Sequence, residues 1–184
     1  MVAVCIFIYR PPSESVYASI LAAVRQNHPC FTVYVALINP IAREQESYLE
    51  KFCNSLPNVW LLNRRTSNQW QSNTWKLFLE DLHENVEYIF ALNDGTIIGE
   101  GCLESAVKLI KESDLTLAQF AHSYWGTLNL TIARSQDFQA NFCTNILKMK
   151  ALDSIENLCE IKFPDWQELR LRLDAAGHKV AVMG

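Results

Sequence analysis

The residues with most chemical promise in this sequence stand where runs of apolar residues stop. Tyr9 and Arg10 follow the first run, Asn39 the second, Asn63-Arg64-Arg65 the third, and Asn93-Asp94-Gly95 the fourth. Guanidinium forks match phosphate oxygens, one carboxylate can hold a hard divalent cation, and carboxamides and phenols hydrogen-bond to bases and sugars. Gathered on one rim, these groups suit a phosphorylated ligand. A second pair, Asp165 and Glu168, opens a helical pattern near the end, and its spacing puts both carboxylates on one face. Trp70, Trp75, Trp125 and Trp166 read as structural aromatics, with Trp125 before Gly126 the one best placed to stack on a ligand. Plainer roles stand beside each of these: Asp94-Gly95 as turn residues, Asp165 as a helix cap, Arg64-Arg65 as a solvated pair.

Other chemistries lack their residues. No Gly-x-Gly-x-x-Gly follows the first run, where Arg10-Pro11-Pro12 stands, and there is no P-loop. Gly95, Gly99 and Gly101 are clustered, but they follow the fourth run and no lysine opens the next helix. A dinucleotide-binding domain and a P-loop nucleotidase are therefore set aside. His28, His83, His122 and His178 are dispersed, and the six cysteines form no CxxC pair. Net charge is −4, with a pI near 5.6, which gives no reason to expect nucleic acid as a partner. No apolar run approaches the roughly 20 residues of a membrane span. Met1 to Tyr9 is apolar without a basic leader, so the sequence predicts a buried first strand in a cytoplasmic protein with no transmembrane segment.

The elements that must position these residues alternate in period. Val2 to Tyr9 is continuously apolar, the mark of a strand buried on both faces. Ser13 then caps a helix with the stripe Val16, Ile20, Ala23 and Val24, ending near Asn27-His28-Pro29. Further strands are expected over Phe31 to Ile38, Asn58 to Leu62, Glu87 to Leu92, Leu115 to Phe120, Leu128 to Ala133 and Lys179 to Met183. Helices are expected over Arg43 to Asn54 (Tyr48, Leu49, Phe52 and Cys53 inward), Thr74 to Glu84, Gly101 to Glu112, Ser135 to Met149, and Asp165 to Ala176. Such alternation predicts βαβ units: an α/β fold, a mostly parallel mixed sheet flanked by helices, in one domain over residues 1–184. In such sheets ligands bind beyond the carboxyl ends of the strands, where the polar rim falls.

The order of these segments resembles that of GT-A glycosyltransferases of the family 2 type. Val2 to Tyr9 with Pro12, then a helix ending Gln26-Asn27-His28-Pro29, is similar to the family's opening, and Phe31-Thr32-Val33-Tyr34-Val35 to its second strand. Asn73 falls at the asparagine that opens the family's next helix, and Glu87 to Asp94 looks like the strand leading into its Asp-x-Asp motif. Gly126 to Arg134 resembles the strand beside the acceptor site, and Asp165 to Val180 the late acidic helix and closing strand. The resemblance covers nearly the whole chain. Departures are also plain. Leu37 stands at the base-binding aspartate, with Asn39 the nearest polar substitute; Asn93-Asp94-Gly95 replaces Asp-x-Asp; and Asp165-Trp166 replaces a Glu-Asp pair.

What the resemblance implies is transfer of a sugar from a nucleoside-diphosphate sugar to an acceptor hydroxyl, glycan or other, with inversion. Tyr9, Arg10, Asn39, Arg65, Asn73, Asn93 and Asp94 would bind the donor, Trp125 and Gly126 the acceptor, and Asp165 or Glu168 would act as base. Asp94 would hold Mn²⁺ or Mg²⁺, which needs few protein ligands, or arginines would neutralise the diphosphate without metal. The lost carboxylates support an alternative: a GT-A-like domain without catalysis that binds a nucleotide, glycan or protein partner. A nucleotidyltransferase ranks below both, because no Gly-rich basic loop follows the first strand.

Overall fold

A computed structural model describes residues 1–62, 75–120, 132–133, 144–161 and 165–183. Its framework is one sheet of strands β1 (Val2–Ile8), β2 (Phe31–Leu37), β3 (Val59–Leu62), β4 (Tyr88–Asn93), β5 (Leu117–Phe120), β6 (Ile132–Ala133), β7 (Thr144–Lys148) and β8 (Val180–Met183). The continuous apolar run of β1 has its expected cause. Val2, Val4, Ile6 and Ile8 point into one core while Ala3, Cys5 and Phe7 point into the other, and all seven residues are buried.

The strand order is β3-β2-β1-β4-β7-β5-β8-β6. β1 pairs in parallel with β2 and with β4, β2 with β3, and β5 with β8; β7 runs antiparallel between β4 and β5, and β6 antiparallel to β8. The chain thus works outward from β1 to β3, then returns to lay β4 on the other side of β1. That reversal makes a topological switch point outside the carboxyl ends of β1 and β4, the position at which open α/β sheets take ligands.

Helices cover both faces. On one lie α1 (Glu14–Val24), α2 (Arg43–Asn54) and α4 (Cys102–Glu112), through Val16, Ile20, Ala23, Leu49, Cys53, Leu103 and Ile110. On the other lie α3 (Trp75–Glu80) and α5 (Trp166–Ala175), through Phe78, Trp166, Leu169 and Leu173. α5 ends as its glycine implies. Gly177 has φ +82, its N–H donates to the Asp174 carbonyl, and that of His178 to the Leu173 carbonyl.

Several expectations are corrected. Residues 144–148, read as the end of a helix, form β7. Ile146 faces one core and Leu147 the other, so the run is too short and too evenly apolar for its period to tell strand from helix. Tyr48 on α2 is 64% exposed and packs edge-on against Tyr17, while Glu46 takes the inward position. α3 stops at Glu80 rather than Glu84, because the N–H groups of Asp81 and Leu82 bond to carbonyls three residues back. Ala176 is exposed, and Trp166 fills the inner face of α5 instead. The expected helix over 135–143 and strand over 128–131 lie outside the described residues. The two residues 132–133 pair with β8 at the sheet edge, and the strand beside β4 is β7.

Candidate functional site

The carboxyl ends of β1, β2 and β4 bring five of the expected residues to one stretch of the sheet edge. Arg10 follows β1 by two residues, and its Nε lies 3.8 Å from Asp94 Oδ2, in the turn that ends β4. Arg10 is 81% exposed at its side chain and Asp94 only 11%, so the carboxylate is seated and the guanidinium free to meet a ligand. Asn39 Nδ2 donates to the Tyr9 carbonyl at 2.8 Å, which ties the ends of β1 and β2 together. Burial pushes the Tyr9 phenol above its ordinary pKa, and the nearby Asp94 charge adds to this, so Tyr9 stays a neutral hydrogen-bond donor. Leu37 is buried in the core against α1, α2 and α4, which leaves Asn39 as the first polar side chain beyond β2.

The turn after β4 is backbone-driven. Gly95 has φ +80, where a side chain is strained, and an added Cβ would lie 3.2 Å from Ser15 Oγ. Ser15 and Ser13 share a 2.8 Å hydrogen bond at the start of α1, so two exposed hydroxyls stand beside the Asp94 turn. Behind them, Gln26 fixes the loop from Gly95 to Gly101. Its side chain is buried, Nε2 donates to the Gly99 carbonyl at 2.9 Å, and Oε1 accepts from the Leu103 N–H at 3.0 Å. One side chain thereby satisfies an orphan donor of α4 and holds the loop that follows Asp94. Sequence reasoning missed Ser15 and Gln26 as site residues. The only sign of Gln26 was its place in the resemblance.

Asp165 caps α5: its Oδ1 accepts the Glu168 N–H at 2.9 Å, the plainer of its two roles. Glu168 Oε1 accepts from Arg172 Nε at 2.7 Å, an i,i+4 pair on a half-exposed face. The first turn of α5 is bonded to β5 through Gln119 Nε2 and the Trp166 carbonyl, 3.3 Å apart. β5 is two strands from β4, about 10 Å across the sheet. Asp165 thus belongs to the same sheet edge as Asp94 without sharing its immediate cluster. Arg64, Arg65, Asn73, Trp125 and Gly126 lie outside the described residues.

Among the described residues no group of three or more His, Cys, Asp or Glu side chains could hold a metal ion. Asp94 is the carboxylate placed to meet a cation there, and it already faces the Arg10 guanidinium. The set fits Mg²⁺ or Mn²⁺ only where diphosphate oxygens and water complete the shell. Among the same residues no helix is long and apolar enough to cross a membrane.

No family model and no curated protein sequence matches the chain. Solved structures do match. Mannosyltransferase PcManGT from Pyrobaculum calidifontis, in complex with GDP-Man and Mn²⁺, superposes with TM-score 0.66 at 13% identity, over 98% of this chain and 56% of its own. TarS 1-349 from S. aureus gives 0.63 at 15% identity, over 98% and 57%; it has also been solved with UDP and with UDP-GlcNAc. The 4-diphosphocytidyl-2C-methyl-D-erythritolsynthase of Anaerococcus prevotii gives 0.60 at 12% identity, over 100% and 87%. The fold is thus that of the nucleotide-diphospho-sugar transferases, the GT-A type. This chain spans a little over half the length of the mannosyltransferase and of TarS 1-349.

Proposed function

We propose that this chain is a glycosyltransferase domain that binds a nucleoside-diphosphate sugar at the β1/β4 switch point and passes the sugar, with inversion, to an acceptor hydroxyl. One observation carries the reading. Arg10 and Asp94, with the ends of β1 and β2 beside them, meet at the crevice where open α/β sheets take their ligands. Arg10 and the hydroxyls of Ser13 and Ser15 would hold the diphosphate, Asn39 and the neutral Tyr9 the nucleoside, and Asn93 the sugar side. Arg65 and Asn73 remain proposed donor contacts, Trp125 and Gly126 proposed acceptor contacts. A cation held by Asp94 would supply Lewis-acid neutralisation of the departing diphosphate. Arg10 does part of the same work by itself. The acceptor oxygen attacks the anomeric carbon as the bond to the diphosphate breaks, and the acceptor proton passes to a carboxylate of α5, Asp165 first and Glu168 second. The exposed thiols of Cys30 and Cys159 fit the reducing, cytoplasmic setting that belongs to this proposal.

The commitment of Asp165 to its own helix and of Glu168 to Arg172 favours a second reading, a domain that binds the nucleotide sugar without transferring it. Calorimetric titration with UDP, GDP and dTDP, with and without Mn²⁺, tests what the two share. Binding is expected for at least one diphosphate, and Arg10→Gln should weaken it about tenfold, the size of a lost charge-assisted contact. No binding of any diphosphate in either condition would end both readings. Release of free sugar or a glycosylated acceptor from a bound nucleotide sugar separates the first from the second.

A further inference from the structure

Inside this sheet, two buried side-chain oxygens find no donor among the described residues. Gln119 on β5 and Asn145 on β7 are 0% and 1% exposed, and among the described residues neither Gln119 Oε1 nor Asn145 Oδ1 has a hydrogen-bond partner. The two residues are directly opposite each other across the antiparallel β5–β7 pair, so their side chains share a face. It is the face that α5 covers, because Leu117 and Leu147, two residues along each strand, pack there with Trp166 and Leu169. A buried carboxamide oxygen left without a donor costs about 1–3 kcal/mol, so two neighbours in one interior represent an unmet demand for donors.

Their address connects them to the site above. Asn145 is also directly opposite Ala91 on β4, and two residues further along that strand is Asn93, beside Asp94. Two residues of strand span about 7 Å, roughly the width of a pyranose ring with its hydroxyls. Ala91, opposite Asn145, carries only a methyl group, so little side-chain bulk of β4 stands between Asn145 and Asn93 on that face. We infer that Gln119 and Asn145 form the floor of a sugar subsite, their oxygens accepting hydrogen bonds from hydroxyls of the sugar in a nucleoside-diphosphate sugar. The inference rests on the nucleotide-sugar reading above and deepens it by assigning the residues that recognise the sugar. Entry to the floor passes the first turn of α5, tied to β5 by the Gln119 Nε2–Trp166 O bond, whose 3.3 Å is long for N–H···O. Sugar occupancy would thus be coupled to the position of the turn that carries Asp165.

Calorimetry of the wild-type chain and of Asn145→Leu and Gln119→Met, with UDP, UDP-GlcNAc, GDP and GDP-Man as probes, tests this. Each variant should keep its affinity for the bare diphosphate within twofold and lose about tenfold for the matching nucleotide sugar. Equal loss for both probes, or no loss for either, overturns the subsite. No loss together with a raised melting temperature in Asn145→Leu would show that a trapped water answers the two oxygens. Should a variant not fold, the side-chain amide NMR signals of Gln119 and Asn145 in the wild-type chain decide. They should move with the nucleotide sugar and stay with the diphosphate; signals indifferent to both ligands overturn the inference. Failure of every diphosphate to bind sinks the donor-site reading and this subsite with it, whereas diphosphate binding without sugar discrimination sinks the subsite alone.

Discussion

At the scale of single residues, the candidate site separates groups by what else they do. Asp165 is both a helix cap and the proposed base, and the two roles come apart by substitution. Asp165→Asn keeps a side-chain oxygen for the Glu168 N–H and should leave the melting temperature nearly unchanged, because Asn caps as well as Asp. Asp165→Ala should cost about 1 kcal/mol in chemical denaturation. If transfer is lost in both variants while diphosphate affinity holds, the carboxylate is the base; full transfer in Asp165→Asn returns the role to Glu168. Gln26 offers the opposite case, a side chain remote from any ligand. Gln26→Ala strands the Leu103 N–H and the Gly99 carbonyl and should cost about 2 kcal/mol in urea unfolding. It should also weaken diphosphate binding by loosening the Asp94 turn. An unchanged affinity would show that the turn holds itself.

At the scale of elements, burial sets reactivity and charge sets pH dependence. β1, α2 and α4 enclose Cys5, Cys53 and Cys102, and burial pushes Cys53 up to about 12, Cys102 to about 11 and Cys5 further still. Alkylation near neutral pH, followed by peptide mapping, should label Cys30 and Cys159 rapidly and spare these three until the chain unfolds. Rapid labelling of Cys5 would contradict the central place of β1. At the opposite end of the sheet, Lys179 and then Lys148 hold the Asp114 carboxyl below its ordinary pKa. A carboxylate depressed by folding stabilises above its unfolded pKa, and the contribution is lost as pH falls through the folded value. Asp114→Asn, which suits the left-handed backbone at φ 50, should therefore flatten the decline in melting temperature below about pH 4. Asp114 is exposed, so the flattening should be small and should fade with added salt.

For the whole molecule, the sheet is the device that makes a site. Two cores lie on its faces, and the strand order reverses at β1, where open α/β sheets take their ligands. A ligand that binds only the folded chain raises stability by mass action, about 2.7 kcal/mol at a hundred times its dissociation constant. The diphosphate that binds most tightly by calorimetry should then give the largest rise in melting temperature, and Arg10→Gln should reduce that rise without lowering the melting temperature of the free chain. The side chain of Arg10 is mostly solvated and its 3.8 Å contact with Asp94 is worth little by itself.

The sequence by itself determined the elements whose signal is local. β1 and β2 were legible as apolar runs, α2 was matched to the residue by its stripe, and α5 by Asp165 at one end and Gly177 at the other. It also located the polar residues at strand ends, because turns must be polar wherever the backbone leaves the sheet. Tertiary structure alone decided what depends on neighbours. β7 is a strand because β4 and β5 flank it, and no pattern within five residues carries that information. Which of the strand-end residues meet follows from the reversal at β1, which sets Arg10 against Asp94 across 84 residues of chain. The unanswered oxygens of Gln119 and Asn145 are likewise invisible in sequence, since a carboxamide lacks a donor only with respect to what folds around it.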